Sequence, residues 1–151
     1  MIEICYVSSA SQRFDTKELT QLLTQAREKN ERLGVTGLLL YDGVGTFIQA
    51  LEGEKDIVEP LYNRIKRDDR HKRISLLGLR EVNERAFGNW CMGFRLLNHP
   101  EIVNKEGFSD FFNTGSTMSN DDESIVSSFA LRMLNYFRDF ANTEDQDKHN
   151  I

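Results

Sequence analysis

Three side chains in this sequence pair hydrogen-bonding chemistry with settings that would draw them out of water. Tyr6 lies in MIEICYVSSA, Gln49 in TFIQALEG (residues 46–53) and Asn30 in REKNERLG. Successive side chains of a strand alternate between its faces, so Phe47, Gln49 and Leu51 share one side while Ile48, Ala50 and Glu52 share the other. Neither is plainly a water face. A primary amide flanked by Phe and Leu carries two donors and a two-lone-pair acceptor, and all of them need partners once buried. A phenol on the neighbouring strand is one such partner. A second amide, Asn30, at the polar end of a helix facing the same cleft would be another. Near the end of a second helix, Arg64, Asp68, Arg70 and His71 offer charged donors and one acceptor. A planar heteroaromatic with an imide edge matches Asn30 and Gln49, and a phosphate-bearing tail matches the basic cluster. A flavin nucleotide satisfies both requirements.

The elements that must position these groups follow from periodicity. Residues 2–9 alternate as a strand, with Ile2, Ile4, Tyr6 and Ser8 on one face. Asp15 followed by Glu18 forms a capping box for a helix with an apolar stripe of Leu19, Leu22, Leu23 and Ala26, closed at Gly34. TGLLLYDG and TFIQALEG read as a hairpin around Asp42, Gly43 and Gly45. A second helix places Ile57, Val58, Leu61, Tyr62 and Ile65 on one face and ends near Asp69, with Pro60 requiring a late start or a bend. Strands at 74–82 and 92–98 complete the order strand, helix, strand, strand, helix, strand, strand. The fold class is therefore α+β, a ferredoxin-like (βαββαββ) antiparallel sheet with two helices on one face. Its first and third strands are central neighbours, which brings Tyr6 and Gln49 together. Residues 101–142 read as a C-terminal helical extension, with a short helix near 105–113 and a longer one carrying Ile125, Val126, Phe129, Met133, Leu134, Phe137 and Phe140. Residues 143–151 read as a disordered tail.

Composition bounds the function. A chain of 151 residues with 39% hydrophobic content supports one domain with a core plus a small appendage. A formal charge of −5 argues against a nucleic-acid or anionic-membrane surface, although RIKRDDRHKR (64–73) is locally basic. With no secretory h-region and no apolar run of roughly 20 residues, a soluble cytoplasmic protein is expected. Cys5 and Cys91 read as reduced thiols, and three scattered histidines do not make a metal site.

Taken in order, CYVSSA, NERLGVTGLLLYDG, FIQALEGE, RIKRDDRH and NWCMGF resemble the BLUF family of flavin-binding blue-light sensors over about residues 1–98. The resemblance implies a non-covalently bound FAD (BLUF domain at residues 1–100), with Tyr6 as photochemical electron donor, Gln49 as hydrogen-bond relay and Asn30 on the ring's carbonyl edge. It further implies that Lys29, Arg64, Ile65, Asp68, Arg70 and His71 lie around the rest of the cofactor. Trp90 and Met92 match a pair at the fifth strand linked to signal output, either of which fits the place nearer the ring. In the family mechanism the phenol yields an electron and proton to the excited flavin, and the glutamine returns by rotation or tautomerisation to donate differently, shifting absorption to the red. Short members of the family form homo-oligomers and signal through a separate protein. No such partner is named by the sequence, and no light-driven enzyme activity is expected of the chain itself.

Two other classes share the topology. An acylphosphatase-like enzyme would use Arg13 in SSASQRF, though that loop lacks the glycines of an anion cradle. A colourless regulatory or oligomerisation domain would leave Tyr6 and Gln49 as structural groups.

Overall fold

The computed structural model describes residues 1–88, 90–97 and 134–135. Strand β1 (Ile2–Ala10) leads through the Asp15 cap into α1 (Thr16–Leu33). Both halves of the capping box form: Asp15 Oδ1 accepts from the Glu18 amide at 2.8 Å, and Glu18 Oε1 from the Asp15 amide at 3.1 Å. Gly34, at φ 68°, closes the helix in the left-handed conformation that glycine adopts without penalty. Strands β2 (Thr36–Tyr41) and β3 (Thr46–Gly53) form the expected hairpin, whose turn is gathered by Asp42 Oδ1 accepting from the amides of Val44, Gly45 and Thr46.

Helix α2 (Lys55–Lys66) begins well before Pro60, so the late start is not what accommodates the proline, and it stops before Asp69. Pro60 is solvent-exposed, so water can serve the Asp56 carbonyl that its missing N–H leaves behind. Strand β4 begins at His71, three residues earlier than the apolar pattern suggested, and extends to Glu81; β5 is Gly93–Leu96.

The strand order is β4-β1-β3-β2-β5, and β1 and β3 are antiparallel central neighbours. The sheet is nevertheless mixed, because β5 runs parallel to β2 and not antiparallel to it. The reason lies in where the connection starts. The β4 strand ends beside the chain start, with the Val82 amide on the Met1 carbonyl. The starts of β1 and β2 and the end of β3 share that end of the sheet. Crossing the sheet from there, the chain reaches β2 at its beginning, where the Gly37 amide donates to the Trp90 carbonyl at 2.9 Å. Strand β5 therefore sets off in the direction of β2.

Both faces of the central strands are buried. One cluster joins Ile2, Ile4, Leu39, Phe47 and Leu51 of the sheet to Leu19, Leu23, Val58 and Leu61 of the helices. On the opposite face Cys5, Val7, Leu38, Leu40, Ile48 and Ala50 pack with Phe87, Trp90, Leu97 and Leu134. Leu134 is helical and 1% exposed, so at that position a helix covers the second face. The remaining expectations for 101–142 and 143–151 lie outside the described residues. Among the described residues no helix is long and apolar enough to cross a membrane, and no cluster of His, Cys, Asp or Glu could hold a metal.

Candidate functional site

Register, more than any single preference, makes the site. Tyr6 lies directly across from Gln49 in the β1–β3 pair, with Leu39 across from Gln49 on the other side. Directly opposed side chains on one face of an antiparallel pair are within contact range. The Tyr6 hydroxyl donates to Gln49 Oε1, and Gln49 Nε2 donates to Met92 Sδ at 3.4 Å. All three are buried, at 3%, 7% and 2% exposure. Burial pushes the Tyr6 phenol far above its ordinary pKa, with Tyr62 and Asp68 adding to the effect. The hydroxyl is therefore a neutral donor across the physiological range, aimed at an amide that acts as acceptor and donor at once.

This trio lies at the floor of a cleft of about 280 Å³ between α1 and α2. From α1 come Ala26, Lys29 and Asn30; Arg64 and Ile65 come from α2, and Asp68, Arg70 and His71 from the chain that follows. Every residue expected around the cofactor thus lines one cavity. Asn30 is 3% exposed and spends one N–H on the Cys91 carbonyl at 2.7 Å, a tie to the β5 approach that was not anticipated. Arg70 is held by Asp68 through Nε at 3.0 Å and Nη2 at 2.5 Å. That hydrogen-bonded pair holds the Asp68 carboxyl below the usual carboxylate range and raises Arg70. Burial, and then the charges of Arg64 and Arg32, lower the Lys29 ammonium. His71 bonds the Ile65 carbonyl through Nε2 at 2.6 Å and Ser8 Oγ through Nδ1 at 2.9 Å. A carbonyl only accepts, so Nε2 carries hydrogen, and in the neutral ring Nδ1 accepts from Ser8. The ring meets Tyr6 edge-on, at 6.2 Å between centroids.

Trp90 does not line the cleft. Its indole packs in the opposite-face cluster and against Gly93, where an added Cβ would come within 2.4 Å of Trp90 Cε3. Met92 therefore takes the inner place and Trp90 the outer one. The sequence reading missed Ser8, Arg27, Glu52 and Arg85. Ser8 alternates with Tyr6 and Arg27 precedes Asn30 by three residues, so strand and helix periods could have flagged both. Fully buried Glu52 accepts from Thr36 Oγ1 and from the amides of Ala86 and Phe87, each at 2.9 Å. Arg85 adds bonds to Thr36 Oγ1 and the Gly34 carbonyl, each at 2.7 Å.

The cleft thus carries a phenol–amide pair on its floor and the cationic side chains of Lys29, Arg64 and Arg70 along its lining. The comparisons with known proteins agree. Residues 1–93 match the family described as BLUF, sensors of blue-light using FAD. The chain belongs to the BLUF family. Among curated relatives, the photoactivated adenylate cyclase subunit beta of Euglena longa is 34% identical over 90 residues, 59% of this chain and 10% of the relative. Subunit alpha of the Euglena gracilis cyclase is 35% identical over 89 residues, 59% of this chain and 9% of the relative. The matched segment therefore spans about a tenth of these relatives. Among solved structures, the photo-activated state of BlsA superposes with a TM-score of 0.64 at 28% identity, covering 96% of both chains. A bacterial light-regulated adenylyl cyclase gives 0.66 at 30% identity, covering 83% of this chain and 35% of that one.

Proposed function

We propose that this BLUF chain is a blue-light photoreceptor that holds FAD non-covalently in the α1–α2 cleft and reads light through Tyr6, Gln49 and Met92. The observation that carries the reading is the continuous buried run from the Tyr6 hydroxyl to Gln49 Oε1 and from Gln49 Nε2 to Met92 Sδ. Asn30 would hold the carbonyl edge of the ring with the N–H that Cys91 does not use. Lys29 and Arg64 repel each other across the mouth, a cost that a phosphate would relieve. Arg64 also lines a shallow basic depression with Lys66 and Arg67, which gives the rest of a dinucleotide a place to lie. Arg70, engaged with Asp68, shapes the cavity and is not a free phosphate ligand.

When bound and excited by blue light, the flavin supplies a strong oxidant. Tyr6 is placed to yield an electron, while its proton has an immediate acceptor in Gln49 Oε1. With one electron and one proton both returned to Tyr6, the phenol would be restored, and Gln49, having taken a proton at Oε1 and given one back, would settle with its donor and acceptor atoms exchanged. The Met92 contact changes with it. Output then runs through residues 90–92 to β5 and the helix at Leu134, and on to a second copy of the chain or a separate signalling protein. Cyclase activity belongs to the relatives that bear that name; the segment they share with this chain is read here as the sensor alone.

An acylphosphatase-like role finds no support in the loop after β1. The amides of Ser11, Phe14 and Asp15 are already bound to the Arg70 carbonyl, Tyr41 Oη and Glu18 Oε1, so they cannot cradle an anion. The test is the purified protein itself. It should be yellow, release FAD on denaturation as identified by mass, and show a reversible red shift under blue light. A colourless protein, or one whose flavin spectrum is indifferent to light, would refute the reading.

A further inference from the structure

Residues 90–92 reach β5 with three consecutive carbonyls held by three different donors. Trp90 is bound by the Gly37 amide at 2.9 Å, Cys91 by Asn30 Nδ2 at 2.7 Å and Met92 by Arg27 Nε at 2.9 Å. Met92 precedes the strand, and among the described residues the side-chain donor on its carbonyl comes from α1. The Met92 side chain meanwhile rests on the Gln49 amide. We infer that Arg27 is the positioning residue that couples Gln49 to the output segment: its grip on the Met92 carbonyl keeps Met92 Sδ on the amide, so that rearrangement of Gln49 displaces residues 90–92 and Trp90.

The energetics favour this role over a structural one. Arg27 Nη2 is buried and has no hydrogen-bond partner among the described residues. None of the ion pairs among those residues includes Arg27. Desolvation pulls the guanidinium below its ordinary pKa. A half-buried cation matched to a neutral carbonyl, with one buried donor left unfilled, contributes little to the fold through its charge. What the charge does provide is a strong directional bond to one carbonyl. The inference rests on the reading that Gln49 rearranges in light.

Trp90, the single tryptophan, reports on the output segment while flavin absorbance reports on Tyr6 and Gln49. The two ends of the coupling can thus be followed separately in the full-length, flavin-loaded chain. Arg27→Met removes the donors and keeps the aliphatic length; Arg27→Lys keeps one donor. We expect Arg27→Met to retain its flavin, melting temperature and red-shift amplitude, to lose the light-induced change in Trp90 emission, and to change the dark-recovery rate roughly tenfold, the scale of one charge-assisted hydrogen bond. Arg27→Lys should recover most of the Trp90 response. A Trp90 response and recovery rate in Arg27→Met within about twofold of wild type would overturn the inference, as would failure of that variant to fold, since the charge would then be serving stability. A wild-type protein with no red shift would overturn the photoreceptor reading and this inference with it, and the wild-type arm shows that separately.

Discussion

At position 49 a carboxamide receives from a phenol on one side and donates to a thioether on the other, which no apolar side chain of similar size can do. Gln49→Leu keeps the volume but strands the buried Tyr6 hydroxyl, so a loss of about 1–3 kcal/mol is expected in denaturant unfolding. Flavin should stay bound, and its spectrum should no longer respond to light. Tyr6 also gives a pH prediction. Its folded pKa is raised, so the unfolded chain ionises first, near pH 10. Stability should be flat below that and fall as pH rises above it. Denaturation midpoints between about pH 8 and 11 check this, and Tyr6→Phe should lessen the fall without abolishing it, because burial raises Tyr41 and Tyr62 as well. At this scale the sequence was informative where residue type and face coincided: alternation, with β1 and β3 as neighbours, put Tyr6 and Gln49 on the helix side. It was silent on Arg27, whose partner is a backbone carbonyl, and any residue can supply one of those.

Among the elements, α1 was legible at both ends because caps are written in side chains and in glycine, as Asp15, Glu18 and Gly34 show. The direction of β5 was not. It depends on where the chain crosses the sheet, and the crossing is fixed by a carboxylate that the strand pattern only placed on the face with Ile48 and Ala50. Glu52 holds the Ala86 and Phe87 amides and Thr36 Oγ1, anchoring the segment that delivers Trp90 and Met92. Glu52→Gln puts an N–H against backbone N–H groups and should cost about 1–3 kcal/mol, read from thermal or chemical unfolding. Red-shift amplitude should survive, because Glu52 projects from the sheet face opposite Gln49; its loss would tie the anchor to the photochemistry.

For the molecule as a whole, burial of both faces of the central strands explains why TFIQALEG offered no water face. Tyr6, Gln49 and Met92 face the helices, while Trp90 and Leu134 share the other cluster. On the proposed reading, light chemistry and output lie on opposite sides of a single sheet, joined by residues 90–92. Leu134→Ala should cost about 2–5 kcal/mol by opening a cavity beside Trp90, alter Trp90 emission and leave the flavin red shift in place; a lost red shift would place Leu134 in the photochemistry. The amphipathic pattern from 125 to 140 predicts a helix with one covered face, of which Leu134 and Asn135 are described, but an apolar stripe does not name the surface that covers it. The central claim is that the phenol facing Gln49 drives the light reaction. Light-minus-dark absorption of flavin-loaded wild type and Tyr6→Phe, recorded side by side, tests it most directly: the reversible red shift should appear in the first and be absent from the second. A normal red shift in Tyr6→Phe would contradict the account.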